Sequence, residues 1–403
     1  MQLPEDFIHS TRKVMGDERF SRYLKAFDED APVSIRLNPR KTDGIEVVDG
    51  ERVPWCAEGY YLPRRPNFTF DPLLHAGCYY VQEASSMFIS HVLRQYVTGP
   101  VTMLDMCAAP GGKSTEAIAA LPAGSRLYSN EPMRQRANVL AENIAKWGYP
   151  DCIVTNNYPQ DYRKSKLTFD VILCDVPCSG EGMFRRSAQQ DDGAGIGEWS
   201  MANVEKCWRL QRDIVADAWA CLNDGGLLIY STCTFNTKEN EENVRWMLTE
   251  FSDAQVLPVA TQPEWNITGS LLDGFDQPVY RFIPGISRGE GLFVCALRKG
   301  DGTAKARKGK GTTANGLRTI PTLPAVDAPT VDLSYPQAMA YLRGEALALP
   351  ADTPRGIVQV CFEGHPLGTA KNIGTRANNQ YPKEWRIKTT HIPTDYEAIL
   401  RPA

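Results

Sequence analysis

Apolar residues in the first 30 positions recur at helical spacing. Phe7, Val14, Met15, Phe20, Tyr23, Leu24 and Phe27 mark the buried faces of short amphipathic helices. Residues 33–39 then read as a strand that stops at Asn38-Pro39. From His75 to Lys299 strand-length and helix-length patterns alternate. Residues 84–96 read as a helix, 101–105 as a strand, 114–121 as a helix and Arg126–Asn130 as a strand. Arg134–Trp147 is a helix closed by Gly148, and Cys152–Thr155 and 169–174 are strands. A long helix over 203–222 stops at Asn223-Asp224-Gly225-Gly226. A strand over 227–230, a helix over 239–250 and late strands at 280–283 and 292–297 follow. This alternation predicts an α/β protein with a doubly wound parallel sheet.

Composition divides the rest of the chain. Residues 301–328 are dominated by Gly, Thr, Ala, Pro, Lys and Arg, with Lys305, Arg307, Lys308 and Lys310 clustered, which reads as a basic flexible linker. Residues 329–403 regain apolar content as a small terminal domain, with a helix near Tyr335–Leu342 and strands near 357–362 and 385–387. The expected domains are therefore 1–75, 76–300, the linker 301–328, and 329–403. Aromatic and basic residues interleave over 55–70, including Tyr60, Tyr61, Arg64, Arg65, Phe68 and Phe70. Both a packed subdomain with a wet rim and a nucleic-acid-facing surface fit that pattern.

The 403 residues carry a net charge of −4, so the molecule as a whole is not a basic nucleic-acid binder and any such contact must be local. Eleven cysteines in a chain too long to need disulfide staples suit a reducing cytoplasm. Residues 1–20 lack a basic stretch followed by an apolar one, and no run approaches the roughly 18 apolar residues of a membrane span. The expectation is a cytoplasmic protein with no membrane partner. The cysteines lack paired CxxC spacing, so no metal site is expected.

Candidate chemistry lies just past the predicted strands. The strand ending at Asp105 runs into Met106-Cys107-Ala108-Ala109-Pro110-Gly111-Gly112-Lys113, whose small side chains let a ligand approach backbone amides near a helix N-terminus. The turn is neither GxGxxG nor a complete P-loop. Glu131, ending the second strand, has the position of a carboxylate that binds a ribose diol. Asn157, ending the third, is a candidate for an adenine edge. Cys152, Cys174, Cys221 and Cys295 sit in apolar runs and are assigned to the core. Cys178, in Asp175-Val176-Pro177-Cys178-Ser179, and Cys233, in Tyr230-Ser231-Thr232-Cys233-Thr234-Phe235, instead lie beyond strand ends. A reactive thiolate needs electropositive surroundings, for which Lys113, Arg185 and Arg186 are candidates.

Two cysteines and an aspartate fit methylation of a pyrimidine at carbon 5. That carbon becomes nucleophilic only after a thiolate adds to carbon 6, and Asp175 could hydrogen-bond the ring as charge develops. Local chemistry alone does not rank the two thiols. A thiol hydrolase would need a histidine base, and none of the five histidines follows a catalytic-looking strand end. A non-catalytic RNA-binding assembly factor would be expected to lose a thiol or the turn.

DMCAAPGGKS (105–114), DVPCSGEGMFRR (175–186) and YSTCTF (230–235), in that order, resemble the Nop/Sun family of RNA 5-methylcytosine methyltransferases. YVQEASSM (80–87) and RLNPRK (36–41) are similar to its segments before the first strand. GIVQVCFEGHPLGTAKN (356–372) and NNQYPKEWRIK (378–388) resemble the PUA-like RNA-binding domain of the bacterial RsmF-type branch. The resemblance implies a Rossmann-like catalytic domain with an RNA-facing N-terminal α+β subdomain and a PUA-like β-rich tail. It implies S-adenosylmethionine as cofactor, held by Cys107 through Lys113, Glu131, Asn157 and Asp175. It further implies Cys233 as nucleophile and Cys178 as the residue assisting product release. The implied partner is RNA, namely small-subunit ribosomal RNA or a ribosomal subunit, with tRNA as the alternative, and the chain is expected to act as a monomer. The family often has an acidic residue where this chain has Asn156-Asn157. Residues 187–197 read as a mobile loop near the site.

Overall fold

The computed structural model describes residues 3–403 except 191–193, 301–315, 323–325, 390 and 395, and leaves out the side chains of 188–195. Helices α1 (Glu5–Met15) and α2 (Asp17–Lys25) open the chain. Their buried residues Phe7, Met15, Phe20 and Tyr23 pack against Phe184, Trp199 and Phe235 of the central region. The sheet that follows contains β1 (Val33–Leu37), β3 (Glu51–Arg52), β4 (Gly59–Leu62) and β5 (Tyr79–Val81), with β2 (Ile45–Val47) apart and α3 (Pro72–His75) before β5. Strand β1 runs antiparallel to both β4 and β5. The expected boundary at residue 75 therefore falls inside this unit.

The central region runs through α4 (Phe88–Tyr96), β6 (Thr102–Asp105), α5 (Gly112–Ala120), β7 (Arg126–Asn130), α6 (Arg134–Trp147), β8 (Cys152–Thr155), α7 (Pro159–Ser165) and β9 (Phe169–Asp175). It continues through α8 (Phe184–Gln190), α9 (Ala194–Gly197), α10 (Met201–Cys221), β10 (Leu222–Thr232), α11 (Glu241–Glu250), β11 (Ala254–Leu257), β12 (Tyr280–Phe282) and β13 (Leu292–Lys299). Strands β10, β9, β6, β7 and β8 form a parallel row. The chain builds outward from β6 through β7 and β8, then returns to the other side of β6 for β9 and β10, so the order reverses between β6 and β9. A doubly wound sheet binds its ligands beyond the strand ends at such a reversal. Successive residues of β9 alternate between two cores: Val171 and Leu173 on one face, Ile172 and Cys174 on the other.

The late strands depart from the parallel expectation. Strand β13 is antiparallel to β10, β11 and β12. The short connection from β12 to β13 leaves no room for the crossover that parallel neighbours need. Helix α7 lacks the apolar stripe of a longer helix; it buries only Tyr162. The expected loop over 187–197 is largely helical in its described residues, because Phe184, Ile196 and Trp199 bury against α1.

The tail contributes β14 (Thr319–Ile320), β15 (Thr330–Asp332), α12 (Tyr335–Leu342), β16 (Gly356–Phe362), β17 (His365–Asn372), β18 (Ala377–Asn379) and β19 (Leu400–Pro402). Strands β15 to β18 form their own sheet. Strand β19 pairs with β2, and tail residues such as Leu342, Val358 and Leu400 share one core with Ile35, Leu37 and Tyr79. Trp385 is not in a strand; it ends a single 3-10 turn that starts after Pro382. The basic cluster Lys305, Arg307, Lys308 and Lys310 lies outside the described residues. Past it, Thr319 and Ile320 pair antiparallel with Thr155 and Val154, so the end of the expected linker is the outer strand of the catalytic sheet. No helix among the described residues is long and apolar enough to cross a membrane.

Candidate active site

The parallel register of β9 and β10 sets Asp175 beside Ser231. Both strands end there, and their continuations bring Cys178 and Cys233 together with 3.2 Å between sulfurs. The Cys233 amide also donates to the Cys178 sulfur at 3.4 Å. The hydrogen bond with Cys233, together with burial, holds the Cys178 thiol well above the usual thiol range. Asp175 accepts from Ser231 Oγ at 2.7 Å and from Lys113 Nζ at 2.9 Å. Burial disfavours the Lys113 charge, but Asp175 outweighs it and raises the ammonium pKa above the ordinary lysine value. Cys233 contributes in the same direction, so Lys113 supplies positive potential to both the carboxylate and the sulfur. Of the other cations considered, Arg185 is committed to a buried ion pair with Glu290 and to the Ala26 carbonyl.

The two thiol loops are laced by residues that sequence reasoning missed. Glu181 accepts from the Phe235 and Asn236 amides at 2.6 and 3.0 Å and from Trp199 Nε1 at 3.0 Å. Glu239 accepts from the Ser179 amide at 3.1 Å and from Gln211 Nε2 at 2.6 Å. The Gly182 amide donates to the Cys233 carbonyl at 2.7 Å, and a Cβ on Gly182 would meet that oxygen at 2.6 Å. The acid- and amide-rich run Asn236–Asn243 was the available signal, but helical spacing reads it only as a helix start.

The glycine-rich turn after β6 lies across the order reversal from the thiols. Cys107, Ala108, Ala109, Pro110, Gly112 and Lys113 line a cavity of about 170 Å³, together with Asp105, Asp175 and the segment Tyr80 to Glu83. Gly111 is not part of that lining. Its φ of 117° and its approach to Leu140 of α6 are what require glycine. Helix α6 pins the turn from behind, with Arg136 donating to the Ala109 carbonyl and Asn143 to the Pro110 carbonyl. Asp105 is fully buried; Ser114 Oγ donates to its Oδ2 at 2.6 Å, and its Oδ1 has no hydrogen-bond partner. Burial pushes this carboxyl up to about 7.

Glu131 is buried at the end of β7, where its Oε1 accepts from the Met133 amide at 2.9 Å and its Oε2 lies 3.4 Å from Arg136. Asn157 differs from its expected role. Its Nδ2 donates to the Arg318 carbonyl at 3.0 Å and its Oδ1 accepts from the Arg318 amide at 2.9 Å. A short amide in this position matches a peptide unit, and the segment before β14 supplies one. Asn157 thus clips that segment to the sheet.

The RLNPRK segment also finds its role. Arg36 donates to Gln82 Oε1 at 2.8 Å, to Thr115 Oγ1 at 2.7 Å and to the Gly112 carbonyl at 3.2 Å, while lying 4.5 Å from the Trp147 ring centre. Asn38 Nδ2 donates to the Gly77 and Trp147 carbonyls. These residues dock the N-terminal sheet on the helix that carries the turn.

A parallel sheet with a ligand turn at its order reversal and polar strand ends beside it defines a Rossmann-like methyltransferase. The chain belongs to the RsmB/F family of 16S rRNA methyltransferases, whose sequence profile matches residues 98–298. Residues 3–84 match the N-terminal domain of 16S rRNA methyltransferase RsmF, and 328–387 match the methyltransferase RsmF PUA domain. The chain is 26% identical to the ribosomal RNA small subunit methyltransferase F of Erwinia tasmaniensis over 95% of its own length and 96% of that protein. It is 30% identical to the enzyme of that name from Aliivibrio salmonicida, over 76% of this chain and 67% of the relative. With the Pectobacterium atrosepticum enzyme it shares 32% identity over 74% of this chain and 63% of the relative. Among solved structures, a methyltransferase homologue from Pyrococcus horikoshii is similar with a TM-score of 0.61 and 25% identity, over 73% of this chain and 95% of that one. NSun6 from the same organism, solved with SFG, shares the fold with a TM-score of 0.60 at 19% identity, over 73% of this chain and 98% of that one.

Proposed function

We propose that the protein transfers a methyl group from S-adenosylmethionine to carbon 5 of a cytosine in small-subunit ribosomal RNA. The observation that carries this reading is the 3.2 Å contact between two thiols beside an aspartate at the ends of adjacent parallel strands. A methyltransferase acting on an amine or hydroxyl has no need of a nucleophile. Carbon 5 of cytosine does, because it is unreactive until the ring is saturated at the neighbouring carbon.

The Cys233 sulfur adds to carbon 6, and the ring electrons move toward carbon 5 and N3. Asp175 is suited to hydrogen-bond the N3 and amino edge as that charge shifts. Once carbon 5 carries the methyl group, loss of its proton to a base re-forms the double bond and expels the Cys233 thiolate. Cys178, held as a thiol, can donate a hydrogen bond to the departing sulfur. Its sulfur lies 3.2 Å from that of Cys233, within reach for this assisting role.

The cofactor would supply an electrophilic methyl group on a sulfonium. The cavity residues suit such a cation: Tyr80 offers an aromatic face, and Asp105 a buried acceptor with an unpartnered oxygen. Cys107 to Pro110, Gly112, Lys113 and Asp175 would hold the methionine side, with Gly111 shaping the turn, and Glu131 the ribose hydroxyls. Incubation with methyl-labelled S-adenosylmethionine and either a small-subunit ribosomal RNA transcript or assembled subunits, followed by digestion to nucleosides, tests the proposal. Label should appear in 5-methylcytidine; label in another nucleoside, or in none, would refute it.

A further inference from the structure

We propose that the groove between the N-terminal sheet and α8 seats an unpaired stretch of RNA next to the target base. This rests on the function proposed above and names a route for its substrate. The groove encloses about 870 Å³ and shares the wall Val81-Gln82-Glu83 with the cavity behind the thiols, so a strand lying in it borders the reaction centre. Glu290 in its lining is followed by Gly291, which lies against Gly182, whose amide donates to the Cys233 carbonyl.

Four arginines line the groove from three parts of the chain: Arg64 and Arg65 after β4, Arg186 on α8, and Arg288 before β13. Its acids are largely spent. Glu83 accepts from the amides of Ser85, Ser86 and Glu290, and Glu290 pairs with Arg185. Asp30 is the other acid in the lining. Arg64 and Arg288 do pair with Glu397 and Glu51, but all four side chains are about half exposed or more. Exposed pairs of this kind contribute little net stability, so a phosphate can replace the carboxylate at little cost. In a protein of net charge −4, this local concentration of guanidinium groups is where a polyanion would be held.

The arginines also lie against rings. Arg288 sits 3.9 Å from the centre of Tyr61 and Arg65 5.5 Å from that of Phe68. Guanidinium planes ordered in this way are platforms on which unstacked bases lie, a mode open to single strands and closed to a duplex whose bases are already stacked.

Fluorescence anisotropy of the full chain with a labelled single-stranded RNA of about ten nucleotides, and with the matching duplex, tests the groove. The single strand should bind more tightly than the duplex. Arg65→Glu, Arg186→Glu and Arg288→Glu should each weaken single-strand binding roughly five- to tenfold and reduce the salt slope by about one per lost contact. Arg186→Lys should retain most of the affinity. S-adenosylhomocysteine binding, unchanged in every variant, certifies the fold. Unchanged single-strand affinity in the charge reversals, equal binding of the duplex, or equally tight competition by polyglutamate as an acidic-peptide probe would each overturn the proposal. If the wild type forms 5-methylcytidine and the variants bind RNA normally, only the groove fails; if the wild type forms none, the reaction itself is wrong.

Discussion

Asp105 ties the proposed cofactor cavity to pH. Burial raises its carboxyl from the usual 3.8 to about 7, so the folded protein holds this proton more tightly than the unfolded chain does. The stability that the group contributes is complete below about pH 3.8 and is lost as pH rises through 7. Above 7 the carboxylate is charged, and a cationic ligand is favoured. Calorimetric titration should therefore find S-adenosylmethionine affinity rising from pH 6 to pH 8, while the ligand-free protein melts at lower temperature over the same interval. Asp105→Asn should flatten both trends; a variant with the wild-type pH profile would show that another group titrates. At this scale the thiols were legible because each follows a strand end on the ligand edge. Lys113 was legible as a candidate cation, but the clamps Glu181 and Glu239 were not, because each reaches across to the loop that carries the other thiol.

The elements with strong periodicity were read closely, β7, α6, β8 and α12 to the residue. Where the reading slipped, tertiary contact decided the conformation. Strand β14 is two residues long and exists because β8 offers a free edge to pair with. Its anchor is Asn157, whose amide is matched to the Arg318 peptide unit. On that pairing we propose a stabilising role for Asn157. Asn157→Ala should lower unfolding stability by about 2 kcal/mol, the loss of two half-buried hydrogen bonds. S-adenosylhomocysteine affinity should change less than threefold. A large affinity loss with unchanged stability would restore the adenine role. The β12–β13 turn similarly imposed an antiparallel edge that residue periodicity cannot distinguish from a parallel one.

At the scale of the whole molecule, the expected row of domains joined by a linker is a more continuous body. Helices α1 and α2 pack behind the thiol loops, and the tail completes the core of the N-terminal sheet. Such sharing was hidden in the sequence because an apolar pattern tells which face is buried, not which partner buries it. Leu342 is fully buried in this joint core. Leu342→Ala should cost about 3 kcal/mol and lower a melting transition common to the tail and the N-terminal sheet. A separate tail transition, with the remainder unaffected, would contradict the shared core. The pair of sulfurs of Cys178 and Cys233 carries the central claim, their proposed roles. Denaturing electrophoresis and mass spectrometry of Cys178→Ala and Cys233→Ala after incubation with small-subunit ribosomal RNA and S-adenosylmethionine test it most directly. Cys178→Ala should accumulate a covalent protein–RNA adduct through Cys233, while Cys233→Ala should form none and yield no 5-methylcytidine. An adduct through Cys178 in the Cys233→Ala protein would contradict the assignment.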